Sequence, residues 1–197
     1  MNFVIITHVP HILEQSQYFA YAPFVREMNI WTKHAENVII VAPESKSKKT
    51  TIDLNYDHEN IEFDSVHGFD VLNLKGISNM FFKIPGICWR IYSAMQKADH
   101  IHLRCPGNMG LLGCMIQILF PKKIKTAKYA GNWDSKSRQP FSYKLQKWIL
   151  SNTFLTRNMQ VLVYGQWEGS SKNIKPFSAN FGKFLILGMI TRSLRAW

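Results

Sequence analysis

His100-Ile101-His102-Leu103 runs into Arg104-Cys105-Pro106-Gly107-Asn108, and then into the almost wholly apolar residues 109–120. A short run, a turn rich in Pro and Gly, and a longer apolar run predict a strand, a tight connection and a buried helix. That is the repeating unit of a parallel α/β sheet. The unit recurs downstream. Residues 125–130 read as a strand ending in Gly131-Asn132-Trp133-Asp134. Phe141, Leu145, Trp148, Ile149 and Asn152 mark a helix face, and residues 161–164 read as the final strand. Upstream, residues 3–6 are a buried strand and residues 9–17 a polar loop. Phe24, Met28, Trp31 and Ala35 fall on one helical face. Residues 38–42 form a strand stopped by Pro43, and residues 45–49 a basic turn. Residues 61–66 and 71–74 read as two more strands. Ile84, Ile87, Cys88, Ile91 and Met95 form a helical stripe whose first turn suits Pro85.

This alternation predicts an α/β fold: a single Rossmann-like, doubly wound, mostly parallel sheet over residues 1–168. Residues 169–197 read as a basic, apolar tail without one Asp or Glu. The net charge is +11, which points to an anionic partner. Cys88, Cys105 and Cys114 are odd in number and form no Cys-x-x-Cys. A disulfide framework and a zinc knuckle are therefore not expected, and a reducing cytoplasm is. No signal peptide is visible. The apolar stretch at residues 184–190 falls well short of the ~20 residues of a membrane span. Neither Gly-x-Gly-x-x-Gly nor a P-loop motif is present, which disfavours a dinucleotide oxidoreductase and a P-loop NTPase.

Ligands of open α/β sheets sit beyond the carboxyl ends of the strands. Four polar clusters fall at such ends and are expected on one rim: Thr7-His8, His11 and Glu14; Arg104 and Asn108; Asn132, Asp134 and Lys136; Tyr164, Trp167 and Glu168. His8, His11 and Glu14 suit loop hydrogen bonding, substrate contact, acid–base chemistry or metal ligation. His100 and His102 share one strand face and read as packing under a helix. Gly107, Gly110 and Gly113 suit either close packing of a helix on the sheet or an anion at the helix start. Lys122, Lys123, Lys125, Lys128, Lys144 and Lys147, beside Trp133 and Trp148, read as a basic surface, solvated or resting on a membrane. No motif supports nucleic acid.

Residues 1–11 with Phe24-Val25-Arg26-Glu27-Met28-Asn29-Ile30-Trp31, Arg104-Cys105-Pro106-Gly107-Asn108-Met109-Gly110, and Lys128-Tyr129-Ala130-Gly131-Asn132-Trp133-Asp134 resemble bacterial glycosyltransferases of family 4. The resemblance extends over about residues 1–176. It implies one half of a GT-B architecture, in which two Rossmann-like domains face each other across a cleft. The amino-terminal half mainly holds the acceptor. The other half holds the nucleotide-sugar donor through paired glutamates, and these are missing from the 197 residues. Members usually retain anomeric configuration without a metal.

By this resemblance His8, His11, Glu14, Arg104, Asn108, Asn132 and Asp134 would surround the acceptor, with Asp134 or His11 as candidates for the group that takes the hydroxyl's proton. The partner implied is a glycan or lipid-linked glycan, and the place the cytoplasm, peripherally on the inner membrane face. No cofactor is implied beyond the donor of the full-length parent. The tail departs from the family from about residue 177, as a truncated or frameshifted reading frame would, and the chain is expected to be inactive alone. The alternative is a non-catalytic Rossmann-like module that binds an anionic ligand or a membrane surface.

Overall fold

The computed structural model describes residues 1–66, 77–134 and 137–177. In chain order the elements are β1 (Asn2–Ile6), β2 (His11–Glu14), β3 (Gln17–Tyr21), α1 (Ala22–Thr32), β4 (Asn37–Ser45), β5 (Asp53–Asn55), β6 (Ile61–Val66), α2 (Ile77–Lys97), β7 (His100–Cys105), α3 (Asn108–Ile116), β8 (Ile124–Tyr129), α4 (Phe141–Ser151), β9 (Met159–Val163) and β10 (Ile174–Pro176). Seven strands pair in parallel in the order β6-β4-β1-β7-β8-β9-β10. Numbered in chain order, these strands run 3-2-1-4-5-6-7, the order of a Rossmann sheet with one strand added. β2, β3 and β5 form an extension, largely antiparallel, attached to the end of β4 at Glu44 and Ser45.

The apolar runs are continuous because both faces of the sheet are covered. Phe3, Ile5, Val38 and Ile40 pack against Phe24, Met28 and Trp31 of α1. Val4, Ile6, Ile101 and Leu103 face the other way, toward Ile87, Ile91 and Met95 of α2, Met109 and Cys114 of α3, and Ile149 of α4. Among the described residues one helix therefore lies on one face and three on the other. This is the doubly wound α/β arrangement that the alternation predicts.

Several local expectations are corrected. The polar loop at residues 9–17 is instead largely a hairpin, β2 and β3, turned by Gln15 (φ 50°) and Ser16 (φ 63°). Two successive positive φ values mark a tight hairpin turn, usually signalled by Asn or Gly. β4 does not stop at Pro43. It passes beyond the end of β1, where Pro43 is opposed by Val66 and its missing N–H costs no bond to β1. Pro85 lies inside α2, not in its first turn. α3 is not buried all round: it hands over to a 3-10 turn (Gln117–Leu119), and Met115 and Leu119 are exposed. On α4, Phe141 and Trp148 are exposed, and the buried face is Gln146, Ile149 and Leu150. Lys125, Lys128 and Trp133, expected on a basic surface, are buried. β9 is not the final strand. β10 lies beyond residue 169 and pairs Ile174 with Val161. The strand expected at residues 71–74 lies outside the described residues.

Candidate functional site

Strand order reverses between β1 and β7, because the chain leaves β1 toward β4 and leaves β7 toward β8. In open α/β sheets a binding crevice lies at such a point, between the loops that follow the two strands. Thr7, fully buried, donates its N–H to the Val41 carbonyl at 3.2 Å, and its hydroxyl accepts from the Val9 N–H at 3.1 Å. That holds His8 out at the rim, against the turn after β7. A Cβ on Gly107 would come within 2.8 Å of His8 Nδ1, and the Gly107 φ is +152°, so this contact requires glycine. The loop after β8 completes the row, since a Cβ on Gly131 would lie 3.0 Å from Pro106 Cγ. Partial desolvation, and secondly the Arg104 charge, lower the pKa of His8.

Behind the rim lies a charged triad. Arg104 Nη1 and Lys128 Nζ both donate to Glu27 Oε2, at 2.9 and 2.7 Å. Arg104 and Lys128 are adjacent on β7 and β8, while Glu27 reaches them from α1. Glu27 Oε1 is buried without a hydrogen-bond partner among the described residues. Aromatic rings surround the cations: Lys128 Nζ is 3.7 Å from the Phe177 ring centroid, and the Arg104 guanidinium is 5.7 Å from that of Phe24. Two cations and one carboxylate leave a net positive charge beside the crevice, in surroundings that screen it poorly.

The same sheet face continues inward as a polar seam. His100 Nε2 and His102 Nδ1 both meet Thr126 Oγ1, at 3.0 and 2.9 Å, and Phe3 and Trp31 pack against both rings. Burial pushes His100 down to about 4. His102 lies well below its usual value, through burial first and then through His100, Arg104 and Lys128. These histidines pack under α1, as the strand alternation predicts.

The other candidates separate. His8 lies on the loop after β1, Arg104 near the end of β7 and Asn108 at the start of α3, around the switch point. Asn132 and Asp134 lie on the next loop, where the Asn132 side chain accepts the Asp134 N–H at 2.9 Å. The Asp134 carbonyl accepts from Lys147 Nζ of α4 at 2.9 Å, which ties this segment to the helix. His11 is fully buried: Nδ1 meets the Val9 carbonyl at 2.9 Å, Nε2 meets the Tyr56 hydroxyl at 2.7 Å, and burial lowers its pKa to about 4. With both nitrogens engaged, this histidine has none to offer a substrate. Glu14 lies on the extension, 3.6 Å from Lys49. Trp167 Nε1 donates to the Tyr164 carbonyl at 2.8 Å. Lys136 lies outside the described residues.

Gly110 and Gly113 let α3 lie close on the sheet, since a Cβ would come within 2.7 Å of the Arg104 carbonyl oxygen and 2.9 Å of Leu103 Cδ2 respectively. Close packing accounts for both. Among the described residues no three His, Cys, Asp or Glu side chains gather as a metal site requires, and no helix is long and apolar enough to cross a membrane. The sequence reading missed Glu27 and the burial of Lys128. A signal for Glu27 existed: it adjoins the stripe of Phe24, Met28 and Trp31, where a carboxylate needs a partner. Compared with models of known protein families and with curated proteins, the chain matches none.

Proposed function

We propose that the chain is the acceptor-side domain of a family 4 glycosyltransferase, which holds a glycan or lipid-linked glycan while a nucleotide sugar is brought to it from a second domain. The observation that carries this reading is the β1/β7 switch point, with His8 at its rim and the Arg104–Glu27–Lys128 triad behind it. His8 is suited to bonding a sugar hydroxyl, and the net positive field to favouring an acceptor that carries phosphate. Asp134 and Asn132, on the neighbouring loop, would bound the acceptor on its far side. In a GT-B enzyme the donor half neutralises the leaving diphosphate, a large part of catalysis. The 197 residues alone are therefore expected to transfer no sugar.

Peripheral membrane contact fits the same reading. Trp89, Met115, Leu119, Phe141, Trp148 and Phe154 are exposed on or beside the neighbouring helices α2, α3 and α4. Those helices contain no Asp or Glu but carry Lys83, Arg90, Lys97, Lys144 and Lys147. Arg90 and Lys97 pair with Asp64 and Glu62 of β6, and exposed aromatics beside Lys83, Lys144 and Lys147 suit an anionic bilayer surface.

The test is saturation-transfer NMR with a short-chain isoprenyl diphosphate sugar. The sugar protons should receive saturation from the wild-type chain, and Arg104→Gln and His8→Ala should each weaken binding by about tenfold, or 1.4 kcal/mol. Undiminished transfer in both variants would remove the crevice from the reading.

A further inference from the structure

A second cationic site lies at the opposite end of the strands. Lys122, Lys125, Arg157 and Lys172 line a cavity of about 520 Å³, with Ile124 and Met159 among its apolar lining and no Asp or Glu in its wall. Ile124 opens β8, Met159 opens β9, and Asn173 directly precedes β10. The cavity is therefore at the amino ends of these strands, whereas Arg104 and Lys128 stand at the carboxyl ends of theirs. Its size is that of a small-molecule site, roughly 300–1,000 Å³.

The cations are unopposed. Lys122, Arg157 and Lys172 form no ion pair among the described residues. Lys125 is 1% exposed, and its ammonium donates only to main-chain carbonyls, Gln117 at 3.3 Å and Phe120 at 2.9 Å. Four positive charges around one concavity repel each other, and a multivalent anion relieves that repulsion.

The walls are tied together beside each cation. Asn158, next to Arg157, donates from Nδ2 to the Pro121 and Lys122 carbonyls at 3.1 and 3.4 Å, and its own carbonyl accepts the Lys125 N–H at 2.9 Å. Asn173, next to Lys172, donates from Nδ2 to the Leu150 carbonyl at 2.8 Å and to Thr156 Oγ1 at 3.1 Å. The three segments that present the exposed cations are thus held before any ligand arrives, which lowers the ordering cost of binding.

We propose that this cavity binds a phosphate or diphosphate group, at a site separate from the switch-point crevice and independent of the glycosyltransferase reading. The probe is sodium pyrophosphate, titrated calorimetrically into the full chain at low salt. Saturable binding is expected, weakening as salt rises. The triple variant Lys122→Gln, Arg157→Gln, Lys172→Gln should lose about tenfold or more in affinity while keeping its thermal midpoint, because the three side chains are exposed. Arg104→Gln should keep the binding that the triple variant loses. Flotation with phosphatidylcholine vesicles containing phosphatidic acid separates the two sources of phosphate. If the triple variant loses flotation, the site takes a lipid headgroup; if flotation persists while calorimetric binding is lost, it takes a small phosphorylated molecule. No binding of pyrophosphate by the wild type, equal binding by the triple variant, or a loss that follows Arg104→Gln instead would each overturn the proposal.

Discussion

Glu27 Oε2 accepts from Arg104 and Lys128 at once, and the side chains of all three residues are at most 15% exposed. Glu27→Gln would leave two cations facing each other with little water between them. A loss of about 3 kcal/mol in urea unfolding is expected, as for a broken buried pair; a loss under about 0.5 kcal/mol would show that the triad is a solvated surface cluster. The buried histidines predict a pH dependence. His100 and His11 sit near pKa 4 in the fold, whereas both titrate near 6.5 in the unfolded chain. Between those values the unfolded chain binds more protons, so stability is lost as pH falls from about 6.5 toward 4. His100 alone accounts for about 2 kcal/mol of loss by pH ~5. His100→Gln, less stable at neutral pH, should show a shallower decline between pH ~7 and pH ~5; an unchanged slope would mean that the imidazole is protonated inside the fold. The pairing of His100 with His102 was legible because strand side chains alternate. The burial of His11 was not, since its partner Tyr56 lies 45 residues away and nothing local announces it.

Among the elements, the strands were the most legible, because a parallel sheet covered on both faces leaves unbroken apolar runs. The hairpin at residues 11–21 was not, because Gln15-Ser16 lacks the usual residues of a turn with positive φ. The helices show what apolar content alone conceals: α3 lies flat on the sheet through its glycines and turns Met115 outward. Two glycines therefore predict opposite effects. Gly110→Ala would drive a Cβ to 2.7 Å from the Arg104 carbonyl oxygen, in a place where backbone must move, and should cost about 1–3 kcal/mol. Gly86→Ala on α2 meets nothing within 4 Å and should stabilise by up to about 1 kcal/mol through helix propensity. Thermal unfolding of the two variants decides the matter, and equal effects would contradict the packing of α3 on β7.

At the scale of the molecule, the sheet reaches past the boundary drawn from the sequence at residue 168. β10 has only three residues, too few to show a period, yet it carries buried Ile174, and Phe177 beyond it lies against Lys128. Ile174→Ala in the full chain is expected to cost about 2 kcal/mol; no change would show that the strand contributes nothing to the core. The strand order gathers the rim from loops about 100 residues apart in sequence, at His8 and Gly107. That the sheet is mostly parallel was predictable from the alternation of elements. The rim's charged floor was not, because Glu27 meets Arg104 only after folding. The most direct test of the account is a map of amide shifts as the short-chain isoprenyl diphosphate sugar is titrated into the chain carrying Lys122→Gln, Arg157→Gln and Lys172→Gln, which removes the second cationic cavity from the comparison. Saturable shifts centred on His8, Gly107, Asn108 and Gly131 are expected. Saturable shifts that leave those four amides unmoved would contradict the proposed function.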